Sequence, residues 1–377
     1  MIYLDNSATT QVCEAAIQRM EKCMREEYFN PSALYGPSLE VRGEMNRLRE
    51  ELLRRVHCPE GRVVFVSGGT EADNLAVLGG VASFRDGKIL CFGGEHPAVR
   101  EACRGAKGLK CEFIPLREDG TADLNALEGM MDPSVRLIAV MQVNNETGAI
   151  QPLKEIGRLR DRLCPDALFH VDGVQGFLRV PMDMKDCGAD SYALSSHKIH
   201  GPKGCGALIL RKEERLTPQQ LGGGQEGALR SGTENVPGIL GMGAAIAAWP
   251  GAEGMRARKE SLYRGLKELD AEFHVNGPDP LSPTSAPHIL NVSLMPVRSE
   301  TMLHALEGEG ILIGIGSACA SNKQRISDTL KAMGIQRPRA ECALRFSLSP
   351  MTTEEDIQRT VEAVGRQYRF LAPYRRR

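Results

Sequence analysis

The eleven cysteines of this chain include no Cys-x-x-Cys pair, and their number is odd. That excludes an obvious disulfide framework and gives no zinc-site spacing, so no metal is expected. Cys91, Cys111 and Cys205 sit in or beside apolar runs and are expected to be small core residues. Such usage fits a reducing cytoplasm. No apolar run is long enough to span a bilayer, and no signal peptide precedes Met1, so a cytoplasmic protein without membrane contact is expected. Charge is nearly balanced, with 47 Lys and Arg against 48 Asp and Glu, a net of −1. There is no global attraction to nucleic acid or anionic lipid, and direct nucleic-acid binding is not expected. No internal repeat is visible.

What is present is a soluble, globular composition: 377 residues, 42% apolar and 25% charged. That is enough for one large or two ordinary domains. Short apolar runs at Val63–Val66, Ile89–Phe92, Cys111–Ile114, Leu137–Met141, Leu168–Val171, Ser191–Leu194 and Ala207–Leu210 alternate with helical patterns. Helices are expected over Glu14–Glu27, Pro37–Val56 and up to Val81, with an Ala- and Gly-rich helix over Val236–Ala248 and a charged one continuing to about Phe273. The alternation predicts an α/β fold, a mostly parallel seven-stranded sheet sandwiched by helices. Beyond about Gly251 the pattern changes. Half-buried strands are expected at Ile289–Leu294 and Leu344–Leu348, a helix over Ser299–Leu306, a strand at Ile311–Ile313, and a terminal helix from Thr353. The expected organisation is a large domain over 1–250, with residues 1–15 an arm able to pack against the small domain, and a smaller α+β domain over 251–377.

In open α/β sheets ligands bind beyond the carboxyl ends of the strands. Five loops fall there: Gly69-Thr70, His96, Asn145, Asp172 and Lys198. The stretch Ser67-Gly68-Gly69-Thr70 joins a strand to a helix start, where free N–H groups and the helix dipole favour an anion. Lys198 follows the run Ser191–Leu194 through Ser195-Ser196-His197. A lysine buried at such a junction loses its charge readily and can form a Schiff base. Phe169-His170-Val171-Asp172 ends a strand in an acid, with Gln175 three residues on. An acid and a Schiff-base lysine on neighbouring strands are what pyridoxal 5'-phosphate chemistry requires.

His-Val-Asp-x-x-Gln followed by Ser-x-His-Lys closely resembles the class V aminotransferase group of fold-type I pyridoxal phosphate enzymes. From Tyr3–Thr10 to Arg345–Leu348 the chain is similar to the cysteine desulfurases of the NifS and IscS kind, and the resemblance implies that the extended arm 1–10 runs near the active site. The resemblance implies pyridoxal 5'-phosphate on Lys198, with Gly69, Thr70, Ser195 and His197 among its contacts. It also implies His96 over the cofactor ring as a proton shuttle, and Asn145 and Gln175 on the ring hydroxyl. The residues themselves do not separate Asn144 from Asn145. The Gly-rich loop Leu221–Asn235 could read as a linker. The resemblance instead implies that it crosses a homodimer interface, where Thr233 touches the partner's cofactor phosphate.

The reaction is chosen by Gly316-Ser317-Ala318-Cys319-Ala320-Ser321, which matches the desulfurases whose nucleophilic cysteine sits on a loop. The resemblance implies that L-cysteine binds with its carboxylate on Arg345, where a guanidinium can grip it bidentately. Sulfur passes to Cys319 as a persulfide and alanine is released. A sulfur-acceptor protein then takes the sulfur, for tRNA thiolation, thiamine synthesis or iron–sulfur cluster assembly. The competing expectations are another class V enzyme, such as an aminotransferase, selenocysteine lyase or kynureninase-like hydrolase, and a non-enzymatic assembly protein that kept the fold.

Overall fold

The computed structural model describes residues 1–211, 216–315 and 326–374. Its strands in chain order are β1 (Ile2–Leu4), β2 (Arg62–Val66), β3 (Lys88–Phe92), β4 (Lys110–Ile114), β5 (Val135–Ala139), β6 (Leu168–Asp172), β7 (Ser191–Ser195), β8 (Gly206–Leu210), β9 (Glu272–Val275), β10 (Ile289–Met295), β11 (Ile311–Ile313) and β12 (Ala343–Ser347). Seven of them form the main sheet in the order β2-β8-β7-β6-β5-β3-β4. β8 alone runs against its neighbours β2 and β7; the pairs from β7 through β6, β5 and β3 to β4 are parallel. Parallel strands need crossover connections, and helices supply them on both faces. β7 and β8 are buried throughout, and the other inner strands at all but one position, because both faces are covered. Val171, Ala193, Leu194 and Leu208 are each at most 1% exposed.

Each crossover returns the chain to the same end of the sheet, so every parallel strand delivers its last residue to one edge. β2 runs into the helix Gly69–Val81, and β3 into Pro97–Gly105. β6 ends on Asp172, and β7 ends in the 3₁₀ turn Ser196–Lys198. The run read as Leu137–Met141 is a strand only over Val135–Ala139; Val140 and Met141 continue buried beyond it.

A second core is built by β9, β10 and β12 with the helices Glu253–Lys267, Ser299–Glu307 and Glu354–Leu371. The last of these begins with a capping box between Thr353 and Asp356. β1 pairs in parallel with β11, so the amino-terminal arm joins this second core, and Ile2 and Leu4 are buried in it.

Three expectations are corrected here. The charged helix stops at Lys267 rather than near Phe273. Leu266, Leu269 and Phe273 keep a helical spacing, but antiparallel pairing with β10 draws Glu272–Val275 into an edge strand. β10 and β12 alternate in polarity but not in exposure, since Asn291, Ser293, Arg345 and Ser347 are all buried. Their polar face packs on the main body, where Asn291 Nδ2 donates to the Glu146 carbonyl at 3.1 Å. Cys91 and Cys205 are core residues, whereas Cys111 is only half buried because β4 is the sheet edge.

The Gly-rich loop is tied down rather than free. The Glu226 carboxylate accepts from the Phe65 backbone at 2.9 Å and from Arg49 at 2.6 Å. Arg230 Nε donates to Glu71 at 2.9 Å. Among the described residues, no helix is long and apolar enough to cross a membrane.

Candidate active site

One cavity of about 490 Å³ lies at the carboxyl edge of the main sheet. It is lined by Gly69, Thr70, His96, Asn145, Asp172, Gln175, Ser195, His197, Lys198 and Arg345. The five loop positions expected to converge therefore do so around one space. Thr233 does not line it and is exposed on this chain. Cys319 lies outside the described residues.

Lys198 is placed by the 3₁₀ turn that closes β7. Its Nζ donates to the backbone carbonyls of Ser7 at 2.5 Å and Ala8 at 2.7 Å. Burial pulls its pKa down to about 8, and Arg345 and Arg179 add to the shift. The carboxylates of Asp172 and Asp5 oppose it without cancelling it. An amine so poised is far nearer neutrality than a surface lysine, as nucleophilic attack on a carbonyl requires.

Asp172 accepts from the Val174 backbone N–H at 2.8 Å. Burial pushes its pKa up to about 7, with the charge of Asp73 adding to it. His170, two residues earlier on the same strand, does not line the cavity. Its Nδ1 meets Ser191 Oγ at 2.8 Å and its Nε2 meets Asp73 Oδ1 at 3.2 Å.

His96 caps its own helix: its Nδ1 accepts from the Ala98 N–H at 3.2 Å. That contact assigns the ring proton to Nε2. Burial lowers its pKa to about 4, with Lys198 and Arg100 adding to the effect, so the ring is neutral near pH 7. His197 is likewise lowered to about 4, first by burial, and its Nδ1 lies 3.0 Å from Thr9 Oγ1.

The helix Gly69–Val81 has no side chain capping its amino end. Its first N–H groups stay available to an anion in the cavity. A Cβ on Gly69 would lie 2.7 Å from Val174 Cγ2. Glycine here is thus matched to the valine of the Asp172 loop, as well as allowing close backbone approach.

The choice between the two asparagines is visible. Asn144 is buried in its own loop, where Oδ1 accepts from the Glu146 and Thr147 backbones and Nδ2 donates to the Gly94 carbonyl. Asn145 lines the cavity. Arg345 is 3% exposed and donates through Nη1 to the Asn145 carbonyl at 3.0 Å and through Nη2 to Asp5 Oδ1 at 2.7 Å. Its Nε has no partner among the described residues.

Several lining residues escaped the sequence reading. Ser7 and Ala8 enter through the arm, Asp73 and Glu95 are buried acids, and Ser327, Asp328 and Thr329 come from the second core. Glu95 accepts from the Met141 N–H, and burial raises its pKa, helped by Asp172. Its place beside His96 was the one available signal. The resemblance alone places the arm near the site, and the 327–329 segment carries no signal, because its place depends on contacts across the whole chain. Among the described residues, no group of three or more His, Cys, Asp or Glu is arranged to hold a metal ion.

The cavity thus brings a buried lysine and a buried acid together at one edge of the main α/β sheet. The sequence matches the aminotransferase class-V family over residues 2–360, and the chain belongs to that family. It is 32% identical to a cysteine desulfurase IscS of Dictyoglomus turgidum, across 99% of this chain and 97% of that protein. Among solved structures, a NifS-like protein superposes with a TM-score of 0.88 at 32% identity, covering 98% of this chain and all of the other. Another, SspA in complex with cysteine, superposes with a TM-score of 0.83 at 28% identity, covering 94% of this chain and all of its own.

Proposed function

We propose that the protein is a cysteine desulfurase that uses pyridoxal 5'-phosphate to convert L-cysteine to L-alanine and passes the sulfur to an acceptor protein. The observation that carries this reading is the meeting of Lys198, Asp172 and Arg345 on one cavity.

The residues present fit the cofactor. Lys198 is the amine that would hold its aldehyde carbon, and Asp172 the acid that would share a proton with its ring nitrogen. The uncapped helix start at Gly69-Thr70 would take the phosphate, with Ser195 and His197 beside it and Thr233 reaching from a second copy. Asn145 and Gln175 would meet the ring hydroxyl. When bound, the cofactor supplies an electron sink for charge developing on the substrate carbon.

The chain's own groups do the rest. Arg345 grips the substrate carboxylate, exchanging its contact with Asp5 for a bidentate one. Lys198, near neutrality, accepts and returns the Cα proton. His96, neutral with its proton on Nε2, lines the cavity and would relay protons beside the bound cofactor. The Cys319 thiolate attacks the substrate sulfur. The carbon–sulfur bond breaks, the sulfur stays on Cys319 as a persulfide, and the carbon is protonated to give alanine.

The cysteine-bound neighbour supports the substrate, and the full-length similarity to cysteine desulfurases supports the reaction. Exposed apolar side chains support a homodimer: Leu34 is 85% exposed, Leu221 81% and Tyr28 71%. Acceptors serving tRNA thiolation, thiamine synthesis or iron–sulfur cluster assembly are all compatible with this chemistry, and a cytoplasmic setting suits it.

The test is purified protein with pyridoxal phosphate, L-cysteine and a reductant, with alanine and sulfide counted together. Equal amounts of both, lost in Lys198→Ala and in Cys319→Ala, are the expected result. In a parallel assay with 2-oxoglutarate added as amino acceptor, keto acid and glutamate without sulfide would make it an aminotransferase instead.

A further inference from the structure

His288 lies in the second core, immediately before β10, and is completely buried. Its backbone carbonyl accepts from the Leu348 N–H at 2.8 Å. Its ring reaches into the main body, where Nε2 lies 3.3 Å from Gln175 Oε1. Its Nδ1 has no hydrogen-bond partner among the described residues.

The protons of this contact can be assigned from the other end. Gln175 touches the Ser7 carbonyl at 2.9 Å, and a carbonyl can only accept. The amide atom facing Ser7 is therefore the nitrogen, which leaves the amide oxygen facing His288. His288 must then donate through Nε2, as a neutral ring with a bare Nδ1. Burial and the nearby cations Arg179, Lys259 and Arg345 all disfavour a second proton on it. The same Ser7 carbonyl accepts from Lys198 Nζ. His288, Gln175, Ser7 and Lys198 thus form one hydrogen-bonded line from the second core to the cavity.

We propose that His288 is a positioning residue: by donating to Gln175 Oε1 it locks the Gln175 amide so that its remaining N–H is kept for a ligand in the cavity. Without that donor only the Ser7 carbonyl orients the amide, and its second N–H is no longer held in place for that ligand atom. The inference rests on the reading of the cavity as a pyridoxal phosphate site.

The experiment compares the wild type with His288→Leu, His288→Gln, Gln175→Ala and the double variant His288→Leu/Gln175→Ala. Each is stripped of cofactor, and the dissociation constant for added pyridoxal phosphate and the visible absorption maximum are read. Losing one neutral hydrogen-bond restraint should weaken binding about fivefold and move the absorption maximum in His288→Leu. His288→Gln, which keeps an N–H at similar reach, should restore both. The double variant should bind no worse than Gln175→Ala alone. If His288→Leu does not fold, His288→Asn, whose amide stops short of Gln175, takes its place.

Unchanged affinity and absorption in His288→Leu would overturn the proposal. So would equal losses in His288→Leu and His288→Gln, or additive losses in the double variant. Failure of the wild type itself to take up pyridoxal phosphate would instead sink the functional reading.

Discussion

Arg345 and Asp5 stand 340 residues apart in the chain and meet at 2.7 Å on the wall of the cavity. β1 and β11 bring them together: the arm pairs with the second core, and Asp5 continues it to bridge Ser347 on β12. The guanidinium is thereby held over the cavity before any ligand arrives. A buried cation kept beside a single carboxylate, with its Nε bare, is ready to exchange partners. Arg345→Lys keeps the charge but loses the fork, so the KM for L-cysteine should rise at least about tenfold while kcat changes much less. Steady-state kinetics on both variants of charge, Arg345→Lys and Arg345→Gln, check this. An unchanged KM in both would remove Arg345 from the substrate site.

Lys198 has a pKa lowered to about 8. Below that pH it is largely protonated and cannot attack a carbonyl; above it the free amine predominates. Capture of pyridoxal phosphate by the apoprotein should therefore accelerate from pH 7 to pH 9 and level off above. Stopped-flow absorbance gives the profile. A rate still climbing toward pH 10.5 would mean that the lysine is solvated rather than buried.

Asp172 titrates in the opposite sense. Its folded pKa is raised to about 7, above the unfolded carboxyl value, so between roughly pH 4 and 7 the folded apoprotein binds more protons than the unfolded chain. This contribution favours folding at the acid end of that window and is lost as pH rises through 7. Asp172→Asn should flatten that part of the stability curve. Urea unfolding of both apoproteins across the window measures it, and parallel curves would be inconsistent with the buried, neutral acid.

Gly69 and Val174 are fitted to one another, since a Cβ on Gly69 would come within 2.7 Å of Val174 Cγ2. Gly69→Ala alone should destabilise by about 1–3 kcal/mol through overpacking. Val174→Ala should remove most of that penalty, so the pair of substitutions is strongly non-additive. Thermal unfolding of the four proteins completes the cycle. Additive losses would show that the two positions do not share the space.

Much of this site was legible along the chain. The β–α alternation predicts seven strands, and the ends of those strands are where Gly69, His96, Asn145, Asp172 and Lys198 sit. Each of these follows its strand within a few residues, so local pattern is sufficient to place it. Exposure was less legible: β10 and β12 look half-buried by polarity, yet their polar face is covered by the main body.

The sequence by itself determined the α/β class and the lysine–acid pair at one sheet edge. Those properties follow from residue type and short-range periodicity. Tertiary structure alone decided which residues of the amino-terminal arm line the cavity, that Ser7 is shared by Lys198 and Gln175, and that Asp5 holds Arg345. It also separated Asn144 from Asn145, by which of the two the loop turns inward. The reason is the same in each case. These partners lie on different elements, and their meeting depends on how two cores pack, which leaves no trace in the spacing of neighbouring residues.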